Sequence, residues 1–387
     1  MMSHLRILFC VLVLAGTATA QVPVSDYWGR ELPFPSARAL AAVGTTLHES
    51  RPSVLFANPA LLWSEGRAAV ELTGAMRLSI EERTRVVYDN FENALGEVAF
   101  ADNYGANGSA GPVAAAGRFG PVTVGAGLAP QRDFNYDYLK EYRDDFYIKI
   151  GENRIEQSGS LYGAVAGVSW RPVDWFGIGA AGSYSFGTRR LESWYIEGTD
   201  TVYGLETGKP SGIGYSAGVA VRPMSRLSIA ADYRGPTRLA SWLSADSLAV
   251  AADRTLPAAG GLSVSYRAAG TLPSTVTAEG RYQLWSGADS TLHNTLLLRA
   301  GVEHVLLNLV RLRYGFGIEP LAANPAVQVV DVGLGVGFDA GLLGIDVGLM
   351  HQRSVLGGGD FTTPLVEEGV KVYENRTAIA VTLSRGF

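Results

Sequence analysis

The chain has 387 residues, of which 47% are hydrophobic and 18% charged, with a formal net charge of −5 and a single cysteine, Cys10. A mildly acidic chain without a basic run is a poor partner for nucleic acid. One thiol excludes a disulfide framework and cysteine-ligated zinc. Glycine is over-represented, at 47 residues scattered among Val, Leu, Ala and Tyr, which is the texture of β-sheet with close backbone approach.

Residues 1–20 have the parts of a secretory signal: His4 and Arg6, an apolar run from Ile7 to Gly16, and the small-residue site Ala18-Thr19-Ala20. Cleavage is expected before Gln21, and Cys10 leaves with the leader. The apolar run is about half the ~20 residues a spanning helix needs.

Residues 21–66 lack the two-residue rhythm of a strand. Ser36 to Ala42 reads as a short helix after Pro35. Val54 to Trp63 reads as a second apolar piece, broken at Asn58-Pro59, where the proline drives Asn58 out of the helical region.

From residue 67 onward the chain alternates. In Thr275–Leu284, Thr275, Thr277, Glu279, Arg281 and Gln283 share one face, and Val276, Ala278, Gly280, Tyr282 and Leu284 share the other. The same split sets Asp232 and Arg234 against Ile229, Ala231 and Tyr233. It also sets Arg311 and Arg313 against Leu312, Tyr314, Phe316 and Ile318, and Asp346 against Ile345 and Val347. The last strand, Thr377 to Phe387, carries Ile379, Val381 and Leu383 in phase with the terminal phenylalanine. Arg385 breaks that phase chemically, and the ending resembles the signal read by the outer-membrane barrel-assembly machinery.

Short connections are expected at Phe119-Gly120-Pro121, Arg171–Phe176, Arg222–Leu227, Arg267–Leu272, Leu306–Arg311 and Asp339–Leu343. Longer polar connections are expected at about Glu81–Ala110, Ala129–Gln157, Arg190–Pro210, Gly235–Arg254, Ser286–His293, Glu319–Pro325 and Gln352–Asn375. Six short and seven long connections imply fourteen strands with both chain ends on the short-turn side. The expected fold is therefore all-β: a transmembrane antiparallel up-and-down barrel of about fourteen strands, to which the resemblance given below adds a small N-terminal helical hatch in the lumen. Fourteen strands enclose a lumen too wide for wall side chains alone to fill.

The run Pro35-Ser36-Ala37-Arg38-Ala39-Leu40-Ala41-Ala42-Val43-Gly44, with Ser53-Val54-Leu55-Phe56-Ala57-Asn58-Pro59-Ala60-Leu61-Leu62, resembles the N-terminal signature of FadL-like outer-membrane transporters of hydrophobic compounds. The resemblance implies a hatch over residues 21–66 plugging a barrel over 67–387, with Asn58, Pro59, Ala60 and Arg38 as hatch residues. This chain keeps one glycine at Val43-Gly44 and one acid at Glu49-Ser50 where the family has pairs. A weaker resemblance links the Asn-Pro-Ala start to shuttle and scaffold barrels of the type IX secretion system (the PorV/PorQ type), which bind proteins and do not transport.

The expected lumen charges are Asp232, Arg234, Glu279, Arg281, Arg299, Glu303, Arg311, Arg313, Asp331 and Asp346, pairing with one another and with the hatch. The five histidines have no ligand spacing, and Gly333-Leu334-Gly335-Val336-Gly337 lies in an alternating strand with no P-loop lysine after it. No Gly-x-Ser-x-Gly appears, so no enzymatic chemistry, metal or cofactor is expected. The aromatic stretch Arg132–Tyr147 reads as a girdle or a self-packed external loop, with capture of a greasy ligand as the alternative. Trp170, Trp175, Trp194 and Trp242 are expected at the headgroup level. The expected function is uptake of fatty-acid-like or aromatic hydrophobic molecules by a monomer in contact with outer-membrane lipids.

Overall fold

The computed structural model describes residues 22–387 apart from 33–34, 46–50, 63–66, 145, 198–199, 246–247, 271, 308, 341–342 and 362–368. The expected leader with Cys10, together with His48, Glu49, Ser50 and Trp63, therefore lies outside the described residues.

Fourteen strands form the cylinder. They are β1 (Ala68–Tyr88), β2 (Ala94–Phe119), β3 (Val122–Asp133), β4 (Lys149–Val173), β5 (Phe176–Glu197), β6 (Ser211–Met224) and β7 (Leu227–Arg234), followed by β8 (Ala258–Ala268), β9 (Ser274–Leu284), β10 (Thr295–Leu306), β11 (Val310–Pro320), β12 (Gln328–Ala340), β13 (Leu343–Gly357) and β14 (Lys371–Gly386). Each pairs antiparallel with the next, and β14 pairs with β1 from Lys371↔Thr84 to Gly386↔Ala69, closing the barrel. Closure pairs every strand of the cylinder on both sides, although β2 and β3 share only the ladder from Val113↔Leu128 to Phe119↔Val122. At the seam the Arg67 N–H donates to the Phe387 carbonyl at 3.0 Å, so both ends of the barrel lie beside the short turns.

The alternation read from the sequence sets the wall. In β9, Thr277, Glu279 and Gln283 are buried inward while Val276, Tyr282 and Leu284 face out. The outer surface carries Leu312, Tyr314 and Phe316 of β11, Val332 and Leu334 of β12 and Ile379, Val381 and Leu383 of β14, all exposed. Such a band suits lipid, and the buried polar face suits a hydrated lumen. Trp170 and Trp175 are exposed at the short-turn end, at the height expected of interfacial indoles.

The expected long connections differ from the structure in one respect. Most of them are strands that continue past the apolar band. Between β1 and β2 only residues 89–93 stay outside the ladder, and four further strands (Tyr136–Arg143, Asp200–Gly208, Thr237–Ala245 and Leu248–Leu256) extend the long-connection side. Buried inward side chains such as Tyr136, Tyr138 and Leu239 are interspersed there with charged ones, so these segments carry no continuous apolar face. Their composition reads as loop for that reason. Trp242 is a second correction: it sits in one of these extensions, fully buried among other aromatic rings.

The N-terminal segment lies against the inner wall. It begins with helix α1 (Val24–Tyr27) and the two-residue strand Arg30–Glu31, which pairs with Asp133 and Arg132 of β3. Helix α2 (Ala37–Ala41) follows, capped by the Ser36 hydroxyl, which accepts from the Ala39 N–H at 3.0 Å. Two 3-10 turns, Pro52–Phe56 and Pro59–Leu61, flank Asn58, whose backbone is extended (φ −141°, ψ 108°). The expected interruption at Asn58-Pro59 is thus real.

Candidate functional site: the plugged lumen

Residues 37–45 and 51–62 meet the wall with two chemically different faces. On one side Val54, Leu55, Ala60, Leu61 and Leu62 pack on Ala116, Val165, Ala181, Ala220 and Ala230 of the wall. On the other runs a chain of buried ion pairs. Arg38 meets Glu303 of β10 at 2.9 Å, and Arg313 of β11 bridges Glu303 (2.6 Å) and Asp346 of β13 (2.5 Å). Arg51 then reaches Asp346 at 3.3 Å. The Arg313 side chain is 0% exposed, so its charge is affordable only inside this network.

Backbone contacts complete the docking. The Ser53 N–H donates to Glu71 at 3.1 Å and the Ala37 N–H to the Thr382 hydroxyl at 2.8 Å. The Asn58 amide donates to the Ala231 carbonyl at 3.2 Å while its oxygen accepts from the Ala60 N–H at 2.9 Å. The Ser169 hydroxyl donates to the Ala60 carbonyl at 3.2 Å, and Arg234 donates to the Phe56 carbonyl at 2.9 Å.

Glycines in the wall make the seats. A β-carbon at Gly179 would strike Pro59, at Gly218 Asn58, at Gly315 Ala42, at Gly333 and Gly335 Ala41, and at Gly348 Ala37. In the Gly333–Gly337 run, Gly333 and Gly335 seat Ala41 of the plug, whereas Gly337 makes room for the Asp346 and Arg313 side chains of the wall.

Farther from the short turns, the expected lumen charges pair across the strands. Arg281 meets Asp232 at 3.1 Å and Glu279 at 3.6 Å, Arg299 approaches Glu279 at 4.0 Å, and Arg234 approaches Glu31 at 3.6 Å. Beside the short turns Arg311 pairs with Asp339 at 2.9 Å, while higher in the lumen Asp331 accepts from Gln352 at 2.9 Å. The arm before α2 has its own latch: Asp26, buried, pairs with Arg30 and with Arg376 (3.5 Å), while Glu374 meets Arg30 at 3.3 Å and Arg376 at 2.7 Å.

Between arm and plug lies a cavity of about 1880 Å³, bulk solvent at its mouth included. Its apolar lining includes Leu40, Met350, Ala380, Trp285, Leu292 and Leu321. Its charged lining comprises five arginines (30, 77, 132, 299 and 376) and five carboxylates (Glu31, Asp133, Glu319, Asp331 and Asp360). Above it, Trp28, Phe134, Trp242 and Trp285 form an apolar cluster. Sequence reasoning missed Trp28 and Trp285, since neither lies in an alternating run. In the aromatic stretch Arg132–Tyr147, Phe134, Tyr136 and Tyr138 are buried inward, whereas Phe146 and Tyr147 are exposed. Self-packing describes the first three, and only the last two face outward for capture.

The wall is not paired uniformly around this cavity. β2 and β3 pair only from Val113↔Leu128 to Phe119↔Val122. Gly111 sits at φ +103°, a conformation that favours glycine, and past it β2 leans on β1 while β3 turns to β4 and the arm. The cavity lining includes Ser109, Gly111, Pro112 and Pro130, so it reaches the wall where this pairing ends. Among the described residues, no three His, Cys, Asp or Glu side chains are placed to hold a metal ion.

A closed fourteen-strand antiparallel barrel stoppered by its own N-terminal segment is the FadL-like fold. By structure the chain is similar to a Pseudomonas aeruginosa FadL homologue, with a TM-score of 0.67 and 13% identity over 93% of this chain and 100% of that one. It is also similar to the P. putida toluene transporter TodX (TM-score 0.60, 13% identity, 92% and 99% covered) and the Ralstonia pickettii toluene transporter TbuX (0.59, 15%, 92% and 99%). No protein-family model matches the sequence, and no curated protein matches it. The likeness resides in the fold.

Proposed function

We propose that this chain, exported by its N-terminal leader and inserted by the barrel-assembly machinery, works as a monomer in the outer membrane and takes small hydrophobic molecules inward. The observation that carries the reading is the stoppered lumen: a cavity with apolar lining lies on the external side of the plug and extends to the place where the β2–β3 ladder stops. A molecule that leaves water for such a lining gains about 25 cal/mol per Å² of apolar surface removed from water. It can then leave sideways between β2 and β3, into lipid, or downward past the plug if Arg38 and Arg51 release Glu303 and Asp346. Partitioning and consumption inside the cell supply the driving force, and no residue needs to perform covalent chemistry. The toluene carried by the TodX and TbuX channels is of the right character for this cavity, as are longer alkyl chains.

The test is uptake of radiolabelled toluene and oleate by cells that lack their own transporters for both, with and without this protein in the outer membrane. Faster entry of either label supports the reading. Identical rates for both labels, with folded barrel present, would overturn it.

A further inference from the structure

The apolar cluster above the cavity has an odd composition for mere packing. Trp242 and Phe134 belong to the wall and its extensions, and Trp285 follows β9, but Trp28 is carried in from the N-terminal arm. Its ring centroid lies 5.8 Å from that of Trp242 (interplanar angle 46°) and 5.7 Å from that of Trp285 (75°). Phe134 meets Trp242 edge-on at 5.4 Å (83°). These are the separations and tilts that aromatic rings prefer. The guanidinium of Arg254 lies 5.3 Å from the Trp28 ring centroid, and that of Arg132 lies 5.5 Å from the Trp285 centroid, so cationic ends face electron-rich rings.

From these contacts we infer that Trp28 is a built-in stand-in for ligand: Trp242, Trp285 and Phe134 form a cage for a neutral, planar aromatic molecule of one or two rings, and Trp28 must leave before one enters. Two further observations support it. The ring N–H of Trp242 is buried without an acceptor among the described residues, which suits an N–H to π contact with whichever ring fills the cage. The neighbouring cavity, which Trp28 and Trp285 also line, matches five arginines with five carboxyl groups, so its arginines already face acidic partners. The arm that carries Trp28 is held by a two-residue strand pairing, by Arg132, which donates to the carbonyls of Trp28 (3.3 Å) and Gly29 (2.7 Å), and by the latch of Asp26 and Arg30 on Glu374 and Arg376, so Trp28 can leave only when these contacts open. The inference rests on the uptake reading for its purpose, but not for its test.

The probe is 5-fluoroindole, followed by fluorine NMR against the refolded full-length mature protein in micelles. Trp28→Ala should bind one equivalent saturably and at least ten-fold more tightly than the unaltered protein, because the cage stands empty. Trp28→Ala combined with Trp242→Ala should lose that binding. Equal affinity in the unaltered and Trp28→Ala proteins, or no saturation in the latter, overturns the cage.

Should Trp28→Ala fail to fold, a lock decides. Arg30 and Asp133 are register partners, and the only native cysteine lies in the leader, so Arg30→Cys with Asp133→Cys can tie the arm down. Affinity for the probe should fall several-fold on oxidation and return on reduction. Affinity equal in both states overturns the proposal. In cells, toluene uptake that is the same in both states also counts against the cage while leaving transport standing. Probe binding without any uptake refutes transport and leaves the cage.

Discussion

Arg38 and Glu303, separated by 265 positions in the chain, meet as a buried ion pair at 2.9 Å and join the plug to the wall. Glu303 serves Arg313 at the same time, and through Arg313 and Asp346 the charge balance extends to Arg51. Removing the Glu303 charge therefore takes a counter-ion from Arg38 and Arg313 at once.

Glu303→Gln should weaken plug docking by about 3–5 kcal/mol, the usual penalty for uncompensated buried charge. Planar-bilayer recordings should show frequent large openings where the unaltered protein shows few. The wall itself, held by its ladder, should unfold in denaturant at nearly the same midpoint.

Gly218→Ala should misplace the plug, because the new methyl group needs the space held by the Asn58 amide oxygen. Conductance should rise in this variant and fall back in Gly218→Ala combined with Asn58→Ala, which clears the space. Asn58→Ala alone loses a bond to the Ala231 carbonyl and one from the Ala60 N–H, about 1 kcal/mol each. Gly182→Ala, which meets nothing within 4 Å, should behave as the unaltered protein.

Leu334→Arg places a cation on the outer face of β12, where the leucine is 57% exposed. If this face meets lipid, the substitution should cost about 2–4 kcal/mol of folding stability in bilayers. The same change should be close to neutral if the face meets water, so folding titrations in lipid vesicles settle which solvent it sees.

Asp289, in the connection after β9, accepts from the Thr291 N–H (3.0 Å) and hydroxyl (2.7 Å) and pairs with Arg254 at 3.2 Å. Partial burial raises its carboxyl, but the two Thr291 bonds and Arg254 outweigh that and leave it below the ordinary carboxylate value. A depressed native value means the turn's stability is present above about pH 4 and is lost as pH falls through the lower native value. Protection of the Thr291 amide against hydrogen exchange should therefore drop on acidification, and Asp289→Asn should remove the dependence.

The barrel was readable wherever one face met apolar surroundings and the other did not. Thr275–Leu284 alternates because Glu279 and Arg281 look into the lumen while Tyr282 and Leu284 look out. The short turns were readable for a related reason, since they leave little chain between alternating runs. The extensions beyond the apolar band were not, because their buried side is itself polar: Glu81 and Arg83 turn inward while Glu82, paired with Asp102, is exposed. The Asn58-Pro59 break is local chemistry and was legible. The bonds from Ser53 to Glu71 and from Arg51 to Asp346 join distant positions that no periodicity connects. Trp242 was misplaced on the outer girdle, since an indole near a strand end carries no mark of which way it turns.

The pairing of β14 with β1 also constrains the order of assembly. Its partners stand some three hundred positions apart, so loop-closure entropy makes this the last ladder to zip. The described N-terminal residues up to Leu62 emerge first and contact strands from β1 to β14, so the last ladder to form closes over a segment that both of its strands touch. A chain shortened by Lys371–Gly386 would be left as an open, curled sheet with two raw borders, a substrate for quality-control proteases.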